Sequence, residues 1–564
     1  MPKAKKDAAQ DVAKKTTEAS TAARSATTTA TKSTPAKTAT AKTAAAKPTK
    51  VANAAAAKPT AEKSATKPTV AAEAPKAVKT KKTKVLYVTS EAMPFASTGG
   101  MGEVCGALPK ALNRSGGAEV RTILPLYEEV SARYKHEMTF VCNITVTLSW
   151  RNQYCGLFKL EKGADVYYFV DNEYYFKRSN LYGYYDDAER FAFFSKAVLE
   201  LLPYLGFKPD VLQSNDHLTA LVPIYYLLEY KNRAGYERIK NVFTIHNINY
   251  QGTYPLVIAG DVFGISDENV PLIEFGGCIN LVKGAILACD KITTMSPQYA
   301  KEIRLPEYSC GLDGVLIANR DKITGILNGV DTEEFDPATS ESLFMNYDVD
   351  HLDKKAVNKA ELQRMLNLPE DASVPLVCMI ARMVPYKGYD LLRKSINKTG
   401  TDGNILDTDI QLVVMGKGDA DIEGYFMHVQ SMYTRRVVAL ITYNRDLAQK
   451  VLAAADMCLV PSRTEPCGLT QMSACRFGTV PIVRATGGLM DSVTDCDEGG
   501  NGFVFEEYDS DVMDAAITRA VTMFEYRKDE WRELQKRCMT SNFSWIVSAE
   551  KYNELYRNLI GNNR

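Results

Sequence analysis

From residue 83 onward the chain alternates two hydrophobic patterns. Short runs of consecutive apolar, often β-branched residues are separated by longer stretches in which apolar positions recur at helical spacing. In the first half the short runs are KVLYVT, EVRTIL, DVYYFV, DVLQS, NVFTIH and KITTMS, and residues 186–204 (DDAERFAFFSKAVLELLPY) carry a helical pattern between them. A strand that is apolar at nearly every position is buried on both faces, which calls for a parallel sheet covered by helices on each side. The rhythm lapses over 331–373 and then restarts with VPLVCMIA, IQLVVMG, RRVVALITY, DMCLVPS, VPIVRA and GFVFE. The pattern predicts an α/β protein with two doubly wound, Rossmann-like domains, 83–328 and 329–545, joined near GILNGVDTEEFDP. A last helix, 546–564, is expected to pack back on the body. Ligands of such sheets collect at the carboxyl ends of the strands, so a site is expected in the cleft between the two domains.

Residues 1–82 break the pattern. They are almost entirely Ala, Lys, Thr, Pro and Ser, with 18 Lys/Arg against 5 Asp/Glu, so a chain of zero formal net charge divides into a tail of +13 and a body of −13. With almost no large apolar side chain, the tail cannot offset the entropy of ordering, and it is expected to be a disordered leader. Contact with a polyanion such as nucleic acid or a membrane headgroup is a use its charge would suit. No apolar run reaches the ~18 residues of a membrane span. The twelve cysteines fall without paired metal spacing, several inside apolar runs, and the five histidines do not cluster with them. That usage suits buried thiols in a reducing compartment. The expected location is the cytoplasm; a plastid, reached through a Ser/Thr-rich leader, is the alternative.

Four polar stretches sit where strands are expected to end. Ser97-Thr98-Gly99-Gly100-Met101-Gly102-Glu103 is a glycine turn opening a helix. There the backbone can approach a ligand, and free N–H groups face an anion. In IARMVPYKGYDLL, Arg382 and Lys387 flank a loop, a pair suited to a diphosphate whose charge grows as its bond to sugar breaks. In VPSRTEPCGLTQMSACRFGTVPIVRATGGL a strand is expected to end at Ser462, with Glu465 in the following loop. Gly468-Leu469-Thr470 then start a helix, and a second glycine turn, Gly487-Gly488, follows. Asp216 (QSNDHLTAL) and His246 (NVFTIHNINYQG) lie just past first-domain strands.

Together these strings resemble the glycogen/starch synthase family, retaining glycosyltransferases of the GT-B fold that use ADP-glucose. The resemblance spans nearly everything from Lys84 to the C-terminus, with PSRTEPCGLTQMSACRFGTVPIVRATGGLMDSV, FTIHNINYQG and ILNGVD as its most specific parts. It implies transfer of glucose from ADP-glucose to the non-reducing 4-OH of an α-1,4-glucan, with retention and without a metal or other cofactor. By position, the resemblance makes Arg382 and Lys387 the diphosphate pair and Glu465 the acid beside the donor glucose. Gly468, Leu469 and Thr470 become phosphate contacts, Tyr443 the aromatic stacked on adenine, and His246 and Asp216 the groups around the glucosyl unit and acceptor. Ser97, Gly99, Gly100, Glu103 and Asn328 complete the donor side. The chain departs from the family twice. Ser97 stands where the family has Lys, and Asp216-His217-Leu218 stands where it has Asp-Trp-His or Asp-Trp-Gln. An alternative reading is therefore a glucan-binding or regulatory paralogue of weakened turnover.

Overall fold

The computed structural model describes residues 82–399 and 403–561; the expected basic tail and its polyanion contact lie outside them. The first sheet has nine strands: β1 (Thr83–Val88), β2 (Ala118–Pro125), β3 (Thr139–Leu148), β4 (Arg151–Lys162), β5 (Asp165–Asp171), β6 (Val211–Asn215), β7 (Lys240–Ile245), β11 (Lys291–Thr294) and β12 (Ile323–Gly325). A small antiparallel sheet holds β8 (Thr253–Pro255), β9 (Glu274–Phe275) and β10 (Cys278–Asn280). The third sheet comprises β13 (Leu376–Ile380), β14 (Gln411–Met415), β15 (Val437–Leu440), β16 (Met457–Val460), β17 (Val480–Arg484) and β18 (Phe503–Phe505).

The six-stranded sheet is wholly parallel, in the order β15-β14-β13-β16-β17-β18. This is the doubly wound order in which the winding reverses between the first and fourth strands, here β13 and β16. The nine-stranded sheet runs β12-β11-β7-β6-β1-β2-β5-β4-β3 and reverses between β1 and β6. Its first seven strands are parallel, but β4 and β3 add an antiparallel edge. A wholly parallel sheet was the expectation. The apolar-run pattern misses this hairpin because β3 is mostly exposed, with polar residues between its apolar ones; strands solvated on one face have no continuous apolar run.

Several boundaries move by up to four residues, and positions 562–564 of the expected last helix lie outside the described residues. The helix expected over 186–204 spans Asp187–Leu201 and tightens into a 3₁₀ turn at Leu202–Tyr204. The strand expected to reach Ser462 stops at Val460, and the last helix is Trp545–Ile560.

That last helix belongs to the first core: Tyr552 and Tyr556 are fully buried there, Ser548 Oγ donates to Leu327 O (2.6 Å), and Asn553 Nδ2 donates to Ser115 Oγ (2.7 Å). The chain thus crosses between the two sheets twice, and the crossings lie side by side. Val330 N–H donates to Phe543 O (2.8 Å), and a side chain on Gly329 would meet the Trp545 backbone at 2.5 Å.

Candidate active site

Both winding reversals are occupied by the polar stretches. β13 leads into Arg382 and the 3₁₀ turn Pro385–Lys387, and β16 leads into Ser462 and Glu465. Gly388 allows the two loops to touch: its φ is 85°, and a Cβ there would lie 2.1 Å from Pro461 O. Lys387 Nζ consequently lies 2.5 Å from Glu465 Oε2, which also accepts Ser462 Oγ–H at 2.9 Å. Lys387, Ser462, Glu465, Gly468, Leu469 and Thr470 line one recess under the start of the helix Thr470–Arg476. Thr470 Oγ is tied back to Ile380 O (3.2 Å). Arg382 instead donates to Tyr386 Oη (2.9 Å), so the two cations do not form a bare pair: one is held by a carboxylate and the other by a phenol.

In the first domain β1 leads to the glycine turn and β6 to Asp216. Asp216 has φ 54°, a conformation costly for a residue with a Cβ and typical of functional sites. Its Oδ1 accepts the His246 N–H at 2.8 Å, and its own N–H donates to Thr244 O at 2.9 Å. Burial pushes its carboxyl up to about 7, opposed by the N–H groups of His246 and Asn247 and reinforced by the charge of Glu91. His246 Nε2 meets Asn215 Oδ1 at 2.9 Å. Asn215 Nδ2 already donates to Val88 O, so its Oδ1 is the acceptor, Nε2 carries the proton, and Nδ1 keeps the lone pair. Burial pushes His246 down to about 3, so the ring is neutral at physiological pH.

The glycine turn opens the helix Gly100–Ser115, which closes on Gly116 at φ 79°. A Cβ built on Gly99 or Gly100 would point into open space, and neither has a left-handed φ. Nothing inside the fold demands glycine at these two positions, so the room is available to a ligand. Ser97 Oγ–H is spent locally on Gly99 O (3.1 Å). The second glycine turn, by contrast, is closed to ligands. Gly487 N–H and Thr486 Oγ–H donate to the two oxygens of Glu302 (2.8 and 3.1 Å), and Gly488 N–H donates to Glu465 O (3.0 Å). This turn is a lock between the domains rather than an anion cradle.

The helix Pro297–Glu302 joins the two halves. Tyr299 Oη accepts Ile248 N–H (3.2 Å) beside the His246 segment, Ser296 Oγ–H donates to the carbonyl of Pro466 (2.9 Å), and Glu302 holds Gly487. A second bridge lies at Arg445, whose Nη1 is 2.6 Å from Glu334 and whose Nη2 is 3.6 Å from Glu103. Burial raises the carboxyls of both Glu103 and Glu334. Tyr443, two residues earlier, is 64% exposed. Asn328 is buried at the junction, its Nδ2 3.2 Å from Met295 Sδ.

Sequence reading missed Glu302, Glu91, Asn215 and Arg445, which act through partners far away in the chain. Among the described residues, the one compact group with metal-ligand side chains is Asp495-Cys496-Asp497, and both its carboxylates already pair with Arg519 (2.7 and 2.6 Å).

Two doubly wound domains, one with a wholly parallel sheet and one with a parallel sheet carrying an antiparallel edge, each presenting polar loops at its winding reversal, with cations and a helix start on one side and a neutral histidine on the other, define a glycosyltransferase of the GT-B class. The family of the starch synthase catalytic domain matches residues 84–318, and that of glycosyl transferases group 1 matches residues 362–535. Glycogen synthase of Bacillus cereus (strain B4264) is 42% identical over 481 residues, 84% of this chain and 99% of that one. Glycogen synthase of Geobacillus stearothermophilus is also 42% identical, over 85% of this chain and 98% of its own. The catalytic domain of starch synthase IV from Arabidopsis thaliana, solved bound to ADP and acarbose, superposes with a TM-score of 0.77 at 33% identity. The match covers 85% of this chain and all of that one. The chain belongs to the glycogen/starch synthase family, and its activity is glucosyl transfer in glycogen or starch synthesis. No observation favours the weakened paralogue.

Proposed function

We propose that the donor is ADP-glucose and the acceptor the non-reducing 4-OH end of an α-1,4-glucan, with configuration retained and no metal required. The observation that carries this reading is the Lys387–Glu465 contact in the recess under the Thr470 helix start. A cation, a carboxylate and free helix N–H groups within one recess match a sugar attached to a diphosphate: the amides and cation take phosphate, and the carboxylate takes sugar hydroxyls. The relative solved with ADP and acarbose supports the same pairing of ligands.

In this reading the amides at Gly468, Leu469 and Thr470, together with Arg382, hold the diphosphate, while the Thr470 hydroxyl stays on Ile380 O. Lys387 gives one N–H to Glu465 and keeps the others for the β-phosphate. As the bond from glucose C1 to the phosphate oxygen breaks, the two cations stabilise the charge left on that oxygen. The acceptor oxygen forms its bond to C1 from the same face, and its proton passes to the departing phosphate. His246 is neutral, so it contributes the lone pair of Nδ1 to a sugar hydroxyl, and Asp216 receives another. Tyr443 offers a face to the adenine ring, Glu103 and Asn328 border the nucleotide, and the Ser97–Gly100 turn covers the donor from the first domain. We also place the enzyme in the cytoplasm, supported by twelve unpaired thiols. No described helix is long and apolar enough to cross a membrane.

The test is ADP release from ADP-glucose with and without glycogen, in the presence of EDTA, with UDP-glucose alongside. Glycogen-dependent, EDTA-resistant release from ADP-glucose is expected. Preference for UDP-glucose would overturn the donor assignment, and abolition by EDTA the metal-free mechanism.

A further inference from the structure

Glu91 is 1% exposed, and both its oxygens are engaged at the glycine turn. Oε2 accepts the Thr98 N–H at 2.6 Å, and Oε1 accepts the Thr98 hydroxyl at 2.9 Å and the Tyr182 hydroxyl at 2.7 Å. The Thr98 and Tyr182 hydroxyls also touch each other. Tyr182 belongs to the loop 177–186, and that loop is anchored. The neighbouring Leu181 carbonyl accepts from Arg190 (3.0 Å), a fully buried arginine that also donates to Tyr175 O (2.7 Å) and pairs with Asp187 (2.5 Å). One carboxylate thus grips Thr98 by backbone and side chain together and fastens it to a fixed phenol, immediately before two glycines on which a built Cβ would meet no described atom within 4 Å.

We propose that Glu91 is a positioning residue of the donor site: it sets the direction of the Gly99 and Gly100 N–H groups and, through Tyr182, couples that direction to the loop 177–186. The inference rests on placing the donor at this turn. Without the grip a two-glycine turn would sample many backbone directions, and its amides would have to be ordered each time a donor bound. Glu91 touches neither substrate nor reacting atoms in this arrangement.

The carboxylate has a second effect. Asp216 is surrounded by the His246 and Asn247 N–H groups, Tyr299, Cys105 and Glu91; of these Glu91 supplies a like charge that makes ionisation of Asp216 harder. Neutralising Glu91 lowers the Asp216 carboxyl, so an activity limb governed by Asp216 moves to lower pH.

The test uses the full chain and the variants Glu91→Gln, Tyr182→Phe and Thr98→Val. ADP release is followed against ADP-glucose, against glycogen, and across pH 5–9, with calorimetric titration of ADP alone. Glu91→Gln is expected to raise the KM for ADP-glucose ~10-fold, as for loss of hydrogen bonds to a charged group, to leave the KM for glycogen within about two-fold, and to shift the acid limb down. Tyr182→Phe should raise the donor KM less and leave the limb in place, because the charge remains. A Glu91→Gln protein with unchanged donor KM, whatever its acid limb, or with equal rises in both KM values, overturns the proposal. If Glu91→Gln fails to fold, Tyr182→Phe and Thr98→Val decide, and an unchanged donor KM in both overturns it. A wild-type chain that neither releases ADP from ADP-glucose nor binds ADP would instead sink the donor assignment, which separates the two failures.

Discussion

Lys387 Nζ lies 2.5 Å from Glu465 Oε2, and the two side chains are only 18% and 7% exposed. Removing one partner strands the other charge, whereas removing both relieves the desolvation cost. Lys387→Met is therefore expected to destabilise the fold by about 3 kcal/mol and to cut kcat by ~100-fold or more, the scale for losing a group that stabilises developing charge. Lys387→Met/Glu465→Gln should recover most of the stability and none of the activity. Thermal melts and ADP-release rates on the same samples check both halves.

Asp216 sets a pH dependence whose sign follows from its raised carboxyl. The folded chain holds this proton up to about pH 7, whereas an ordinary Asp in the unfolded chain loses it near 3.8. Between those values the folded state binds more protons, so this group's contribution to stability falls as pH rises from about 4 to 7. Asp216→Asn should flatten that fall in melts taken from pH 4 to 8. Activity should rise through pH 7 as the carboxylate forms, and His246, neutral down to about pH 3, should contribute no limb of its own.

Arg445 links the cleft walls with side chains about one-third exposed, at 2.6 Å to Glu334 and 3.6 Å to Glu103. Partly exposed ion pairs are worth about 0.5–1 kcal/mol. Arg445→Ala should raise the donor KM about two- to five-fold and enlarge the radius of gyration of the ligand-free chain in solution scattering. Raising salt from 0.05 to 0.5 M should reproduce much of the effect in the wild type and little in the variant.

Ser97 lies directly over Gly102, where a built Cβ would sit 2.3 Å from Ser97 Oγ and 3.0 Å from its Cα. In an open helix Gly→Ala gains about 1 kcal/mol. Here the turn backbone must move, so Gly102→Ala is expected to lower the melting temperature and raise the donor KM. Ser97→Lys places a cation at the same turn and should lower the donor KM by ~10-fold. Saturation curves for ADP-glucose at fixed glycogen measure both.

The doubly wound sheets were legible because their central strands are buried on both faces and read as unbroken apolar runs. The strings after β13, β16, β1 and β6 were legible because polar residues at the ends of such runs must answer to a ligand or a partner. The hairpin β3–β4 was not, since strands with one wet face look like any amphipathic stretch. Nor could residue order tell an open glycine turn from a closed one. Gly99-Gly100 and Gly487-Gly488 look alike as sequence, yet the second is filled by Glu302 from 185 positions away.

The sequence by itself therefore determined the architecture, the family and the chemical kinds of group at the site, all of which depend on local pattern. Tertiary structure decided which groups are spent and which remain free: Lys387 on Glu465, Tyr182 on Glu91 across 91 positions, Arg445 between two glutamates. It also decided that Asp216 is hard to ionise and His246 hard to protonate. The burial of a single polar group and its long-range hydrogen-bond partners arise where distant segments meet, and no local pattern along the chain encodes them.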